Sequence, residues 1–219
     1  MSKVLPILFN TEMVRATLDD RKTATRRLIK PQQLIGILPD KCKNGTPEEF
    51  LKEKKYMFKP YCDMTDAELI STSYKPQCQP GDILYVRETF DYLEGWKIGD
   101  PGIDGKYFYR ADGDLRPVSW RGKWHPSLHM PKEAARIWLK VKDVRVERLQ
   151  QITPQEAWKE GAICSCMSPV QDCAGNKTAF IDIWNSTIKK SDLDRYGWDV
   201  NPWVYVIEFE RVEKDETMQ

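Results

Sequence analysis

What this chain lacks narrows it first. No apolar run approaches membrane-spanning length, so a membrane protein is not expected. Met1 to Phe9 is too short and too lightly charged for a signal peptide, and Pro6 interrupts it, so a cytoplasmic setting is the expectation. Neither charge sign dominates: 34 Lys and Arg stand against 33 Asp and Glu, a net charge of +1. Nucleic-acid binding by the whole surface is thereby excluded. Any such site must be a local patch, such as Arg21, Lys22, Arg26, Arg27 and Lys30. There is no internal repeat and no βαβ regularity. A paired Cys-x-x-Cys of the ribbon or finger kind is also missing. Cys164-x-Cys166 with Cys173 offers zinc ligands, to be joined by His125, His129 or Cys78, but the spacing argues for reduced loop thiols without metal. No cofactor is implied.

What is present suits one globular domain with insertions. The chain has 219 residues, 41% of them hydrophobic and 31% charged, enough to build a core. Its 8 Trp are many for this length, and some are expected to line a cleft. In order, Lys3 to Phe9 reads as a strand. Asn10 or Thr11 caps a helix through Leu18, and Thr23 to Ile29 is a second strand closed by Pro31. Residues 32 to 79 look like a polar insertion with capping boxes at Thr46 and Thr65. Ile83 to Thr89 and Lys106 to Ala111 are strands, with a Gly- and Asp-rich loop between them from Glu94 to Gly105. Ile137 to Leu149 alternates but slips phase at Lys142-Asp143, which predicts a bulge. Thr153-Pro154-Gln155-Glu156 opens a short helix through Glu160, with Gly161 as its C-terminal cap. Phe180, Ile183, Trp184 and Ile188 mark a further helix. Trp203 to Glu210 is the last strand, and residues 213 to 219 are a frayed tail. About six strands with three or four short helices predict an α+β fold built on a small, mostly antiparallel barrel.

The densest chemistry lies in Asp20-Arg21-Lys22-Thr23-Ala24-Thr25-Arg26-Arg27. Strand alternation puts Thr23, Thr25 and Arg27 on one face and Ala24 and Arg26 on the other. Lys22 then sits at the mouth of the strand near the Thr25 hydroxyl, a possible base and nucleophile. The stretch resembles the signature of the ASCH family, a PUA-like β-barrel, roughly Gly-x-Lys-x-x-(Glu or Thr)-x-Arg after the first helix. Further likeness comes from Gly81-Asp82 opening the strand Ile83 to Val86, from the helix Ile152 to Glu160, and from the closing strand Val204 to Phe209. Arg87-Glu88 and His129-Met130-Pro131 are similar to a phage-encoded subgroup of that family. One departure stands out: Asp20 occupies the signature Gly position, which Asp tolerates better than most residues if a positive φ is needed there.

The resemblance implies a function. One ASCH branch is similar to a small bacterial amidohydrolase that deacetylates N4-acetylcytidine with a Lys, a Thr and a Glu, which fall here on Lys22, Thr25 and Glu160. In that reading Thr25 is the nucleophile and Lys22 its base. Glu160 holds the lysine or protonates the leaving amine; alternatively, Glu160 activates water while Thr25 positions. Arg27, Arg87, Glu88 and His129 are candidate substrate contacts, and Trp120, Trp124 and Trp198 are candidate stacking residues. The blander readings are an ion pair between Lys22 and Glu160, a surface Arg27, Arg87-Glu88 bracing a strand end, and core tryptophans. Expected partners are a modified nucleoside or RNA and no membrane. The competing classes are a PUA-like reader without turnover and a phage accessory protein binding a host protein in the host cytoplasm.

Overall fold

Residues 2–29, 76–92, 107–118, 121–166 and 170–214 are described by the computed structural model. The insertion, with both its capping boxes, falls almost wholly outside the described residues. So do the Glu94 to Gly105 loop, Trp120 and all but the first two residues of the tail.

Alternation in the sequence becomes a two-faced sheet. Among the described residues, β1 (Val4–Leu8), β2 (Ala24–Leu28), β3 (Ile83–Arg87), β6 (Trp138–Arg148) and β7 (Trp203–Val212) form one five-stranded sheet in the order β1-β3-β6-β7-β2. The β1–β3 pair is parallel and the other three are antiparallel. The phase slip is a real irregularity: the β6–β7 register shifts between Val141 and Asp143. A bulge there turns the strand while keeping apolar side chains on one face beyond it. Trp203, Tyr205, Ile207 and Phe209 project from β7 into the larger core with Ile7, Leu84, Val86, Leu139 and Val141. Burying each such side chain stabilises the fold by about 1.5–3 kcal/mol before entropy is counted.

The opposite face of β7 carries Val204 and Val206. These are covered by α2 (Pro154–Lys159) and α3 (Gly175–Thr187) through Ala157, Phe180 and Trp184, with Ala162 just beyond α2. Helix α1 (Thr11–Leu18) starts as its sequence predicts, with Asn10 Oδ1 accepting the Met13 amide at 2.9 Å. A short helix α4 (Leu193–Tyr196) precedes β7.

A second sheet was not legible beforehand. β4 (Phe90–Tyr92) pairs antiparallel with β5 (Tyr107–Tyr109), and the strand read as ending at Thr89 in fact gives way to this hairpin. Its cluster of Phe90, Tyr92, Tyr107 and His125 packs by ring contacts of 5.4–6.4 Å, which no single short segment announces. Among the described residues, no helix is long and apolar enough to cross a membrane.

Candidate functional site

Two helix ends converge to build the site. At the end of α1, Asp20 adopts φ 55°. The Asp20 amide then bonds Thr17 O at 3.1 Å and the Arg21 amide bonds Ala16 O at 2.9 Å. This is a Schellman ending, with Asp in the left-handed position where glycine is preferred. At the end of α2, Gly161 adopts φ 88°, its amide bonds Trp158 O at 2.8 Å, and the Ala162 amide bonds Ala157 O at 3.0 Å. The same motif therefore terminates both helices. A Cβ on Gly161 would lie 2.7 Å from Ala16 Cβ, so only glycine lets the two ends meet this closely.

That meeting brings Lys22 to Glu160. Lys22 Nζ donates to Glu160 Oε2 at 3.0 Å, to Glu160 O at 2.9 Å and to Ala24 O at 2.7 Å. An ammonium has three protons, and all three are placed. The side chains are 1% and 7% exposed. Burial pushes Lys22 below the usual lysine range. Glu160 opposes that shift, while Arg27 and Arg26 reinforce it.

The other oxygen of Glu160 is also taken. Arg26 Nη1 donates to Oε1 at 3.2 Å, and Arg26 Nη2 reaches Glu147 at 3.2 Å and Glu156 at 3.3 Å. Arg145 donates to Glu147, to Glu208 at 2.6 Å and to Glu156 at 3.0 Å. Burial works against the charged form of Glu156. Even so, the Thr153 amide, Arg26 and Arg145 together hold its carboxyl below the usual range. Arg26 belongs to the cationic stretch read from the sequence, but Arg145, Glu147 and Glu156 were not expected in the site. A signal existed: Arg145-x-Glu147 shares one face of β6, and Arg26 and Arg145 both register against Val206 from opposite sides of β7.

Thr25 and Arg27 lie on the inner face, opposite Ile207 and Tyr205, as alternation predicts. Thr25 is buried at 1% exposure. Half-buried Arg27 donates to Leu8 O at 2.7 Å, so a side chain of edge strand β2 reaches edge strand β1. Burial depresses Arg27 and Glu160 opposes it. The Phe9 ring lies 5.5 Å from Lys22 Nζ and 5.9 Å from the Arg27 guanidinium, joining the two cations through an aromatic face.

A cleft of about 920 Å³ opens beside this face, lined by Arg27, Cys78, Arg87, Leu128, Tyr205 and Ile207 among others. Lys22 instead lines a smaller hollow of about 300 Å³ with Asp20, Lys142 and Glu208. Thr25 is not among the described residues lining either. Arg87 donates to Leu128 O at 3.2 Å, and its Nε is a buried donor with no acceptor among the described residues. Burial pushes the Cys78 thiol up to about 11, with Asp82 adding to the shift, so it stays neutral in the cleft wall.

Comparison with family models, with curated proteins and with solved structures gives no match to this chain. The site therefore rests on its own geometry.

The remaining candidates separate. Glu88 is buried at 1% exposure and is held bidentately by Arg136 at 2.9 and 3.0 Å, so it braces rather than lines the cleft. Trp124 stacks one face on the Arg116 guanidinium at 3.9 Å. Trp198 packs edge-on to Phe180 in the core under α3. His129 is exposed, next to the cleft residue Leu128. None of Glu88, Trp124, Trp198 and His129 is among the described residues lining the cleft. Trp120 lies outside the described residues. The sulfurs of Cys164, Cys166 and Cys173 gather within 4.8 Å of one another, the first two as a disulfide pair, without His125, His129 or Cys78.

Proposed function

We propose that the sheet closes as a PUA-like barrel of the ASCH type and that the chain is an amidohydrolase acting on an N-acylated pyrimidine nucleoside such as N4-acetylcytidine. The observation that carries this reading is the 3.0 Å closure of Lys22 on Glu160 across 138 residues of chain. It unites two of the three residues the resemblance names, and Thr25 shares the strand that Lys22 opens. Asp20 at φ 55° supports the same reading, since it occupies the signature glycine position in the conformation glycine favours. The bond from Arg27 to Leu8 supports closure, because it links the two edges of the sheet.

In the reaction, the nucleoside enters the cleft, where the Arg27 and Arg87 side chains meet its acceptor atoms. Lys22, depressed by burial, acts once it has shed one proton. Thr25 Oγ adds to the amide carbonyl carbon and passes its proton to Lys22. The oxyanion forms beside cationic side chains. Collapse breaks the C–N bond, and Lys22 returns the proton to the leaving 4-amino group. Water then hydrolyses the threonyl ester, releasing acetate and restoring Thr25. Glu160 keeps Lys22 aimed throughout.

A second reading has its own observation. All three Lys22 protons are already donated and Thr25 lines neither hollow, which favours a nucleobase reader in which the Lys22–Glu160 pair is structural. Hydrolysis of N4-acetylcytidine by wild type, abolished in Lys22→Ala and Thr25→Ala, supports the enzyme. Saturable nucleoside or RNA binding without turnover supports the reader. Neither binding nor turnover leaves an accessory protein that binds a host protein, and both nucleoside readings fall.

A further inference from the structure

The loop leading into α3 holds three sulfurs in one place. Cys164 and Cys166 are in disulfide contact, and Cys173 Sγ lies 3.2 Å from Cys164 Sγ. Cys166 and Cys173 are 3.7 Å apart. A pairwise bridge would use two of these residues and leave Cys173 against both without a role. A soft cation uses all three.

The surroundings hold this arrangement without help from the sulfurs. Asn176 is completely buried at 0% exposure. Its Oδ1 accepts the Cys164 amide at 3.0 Å, and its Nδ2 donates to Val170 O at 2.8 Å and Gln171 O at 3.2 Å. One amide side chain thus ties both ends of the loop together. Gly175 is needed for the same closure: a Cβ there would lie 2.7 Å from Cys164 Cβ. Cys173 immediately precedes Ala174, the N-cap of a 13-residue helix with no side-chain capping bond.

We infer that Cys164, Cys166 and Cys173, when reduced, form a three-thiolate site for a thiophilic divalent cation of the zinc and cadmium class. The site anchors α3, whose Phe180 and Trp184 pack against Ala157 of α2 and so support the helix that ends in Glu160. It stands independently of the proposed activity, since it rests on different residues.

The test titrates reduced, metal-stripped full chain with cadmium alone. The expected result is an ultraviolet sulfur-to-cadmium charge-transfer band that saturates at one equivalent, loss of reactivity of three thiols towards a thiol reagent, and a rise in melting temperature of roughly 5–10 °C. Cys173→Ser should lose the band while Cys78→Ser keeps it. Wild type measured with and without cadmium keeps the test decisive if a variant fails to fold. A band that does not saturate, a band that persists in the triple Cys→Ser variant, or three thiols that react equally with and without cadmium would overturn the site. So would a Cys164–Cys166 disulfide that reforms in the presence of cadmium and excludes it.

Discussion

Replacing Glu160 by Gln tests the centre of the site while barely changing its shape. The carboxylate sits 3.0 Å from Lys22 and 3.2 Å from Arg26, whose side chains are each 1% exposed. At an effective dielectric of about 20, a 3.0 Å pair gains about 5–6 kcal/mol of Coulomb energy, and dehydrating the two ions offsets much of it. The intact pair is therefore near neutral, but removing one partner strands a buried charge at a cost of about 3–5 kcal/mol. Lys22 keeps two carbonyl acceptors and Arg26 keeps Glu147 and Glu156, which places Glu160→Gln near about 3 kcal/mol on that scale. Lys22→Met in the same background should recover about 2–3 kcal/mol relative to additivity, because an apolar group needs no counter-ion. The pH dependence has a fixed sign. The folded state holds Lys22 below its unfolded value of about 10.4, so between the two values the unfolded chain binds more protons and stability rises with pH. Without Glu160 the folded value drops further and the window widens downward. The Glu160→Gln deficit should therefore shrink as pH rises from the variant's folded value to the wild-type one, read by urea unfolding of both proteins and of the double variant across the alkaline and neutral range. A deficit under about 0.5 kcal/mol, or one that is additive and flat with pH, would refute the buried-pair account.

Three other perturbations follow from the same geometry. Gly161→Ala should destabilise by about 2–4 kcal/mol, because it combines a positive φ with a Cβ 2.7 Å from Ala16; Gly81→Ala, at φ 92° with open space around it, should cost only about 1 kcal/mol in thermal melts. Asp20→Gly should be neutral or stabilising by up to about 1 kcal/mol, since it relieves the left-handed residue and removes only an exposed contact to Arg211; Asp20→Ala lacks that relief and should not stabilise in chemical denaturation. Arg136→Ala strands buried Glu88, whose carboxyl burial already pushes up against the pull of Arg136, at a cost of about 3–5 kcal/mol near pH 7. A raised carboxyl binds its proton more tightly in the fold, so this deficit should shrink as pH falls toward the unfolded value of about 4.3, visible as a smaller difference in denaturation midpoint.

Much of the frame could be read locally. The Asn10 cap, the Thr153 capping box, the Gly161 ending, the bulge near Asp143 and the alternation of β2 and β7 all depend on neighbours within a few residues, and the sequence determines them by itself. So does the positive φ at Asp20, forced by the way a helix terminates. Local pattern could not assign Glu88 or Trp198, because an apolar or charged residue near a strand end reads the same whether it meets solvent, a cleft or an arginine from elsewhere. Arg136 lies 48 residues beyond Glu88, and nothing between them encodes their pairing. The same limit applies to the charge network. Alternation orients Arg26 and Arg145, but the strand order that sets both against Val206 decides that they share carboxylates. Lys22 meets Glu160 only because two helix ends close a long stretch of chain, and three nearby cysteines gather where a buried asparagine ties their loop. The sequence determined which residues carry charge, sulfur and turns. The tertiary structure decided which of them are deprived of water together, and burial in company is what shifts a lysine.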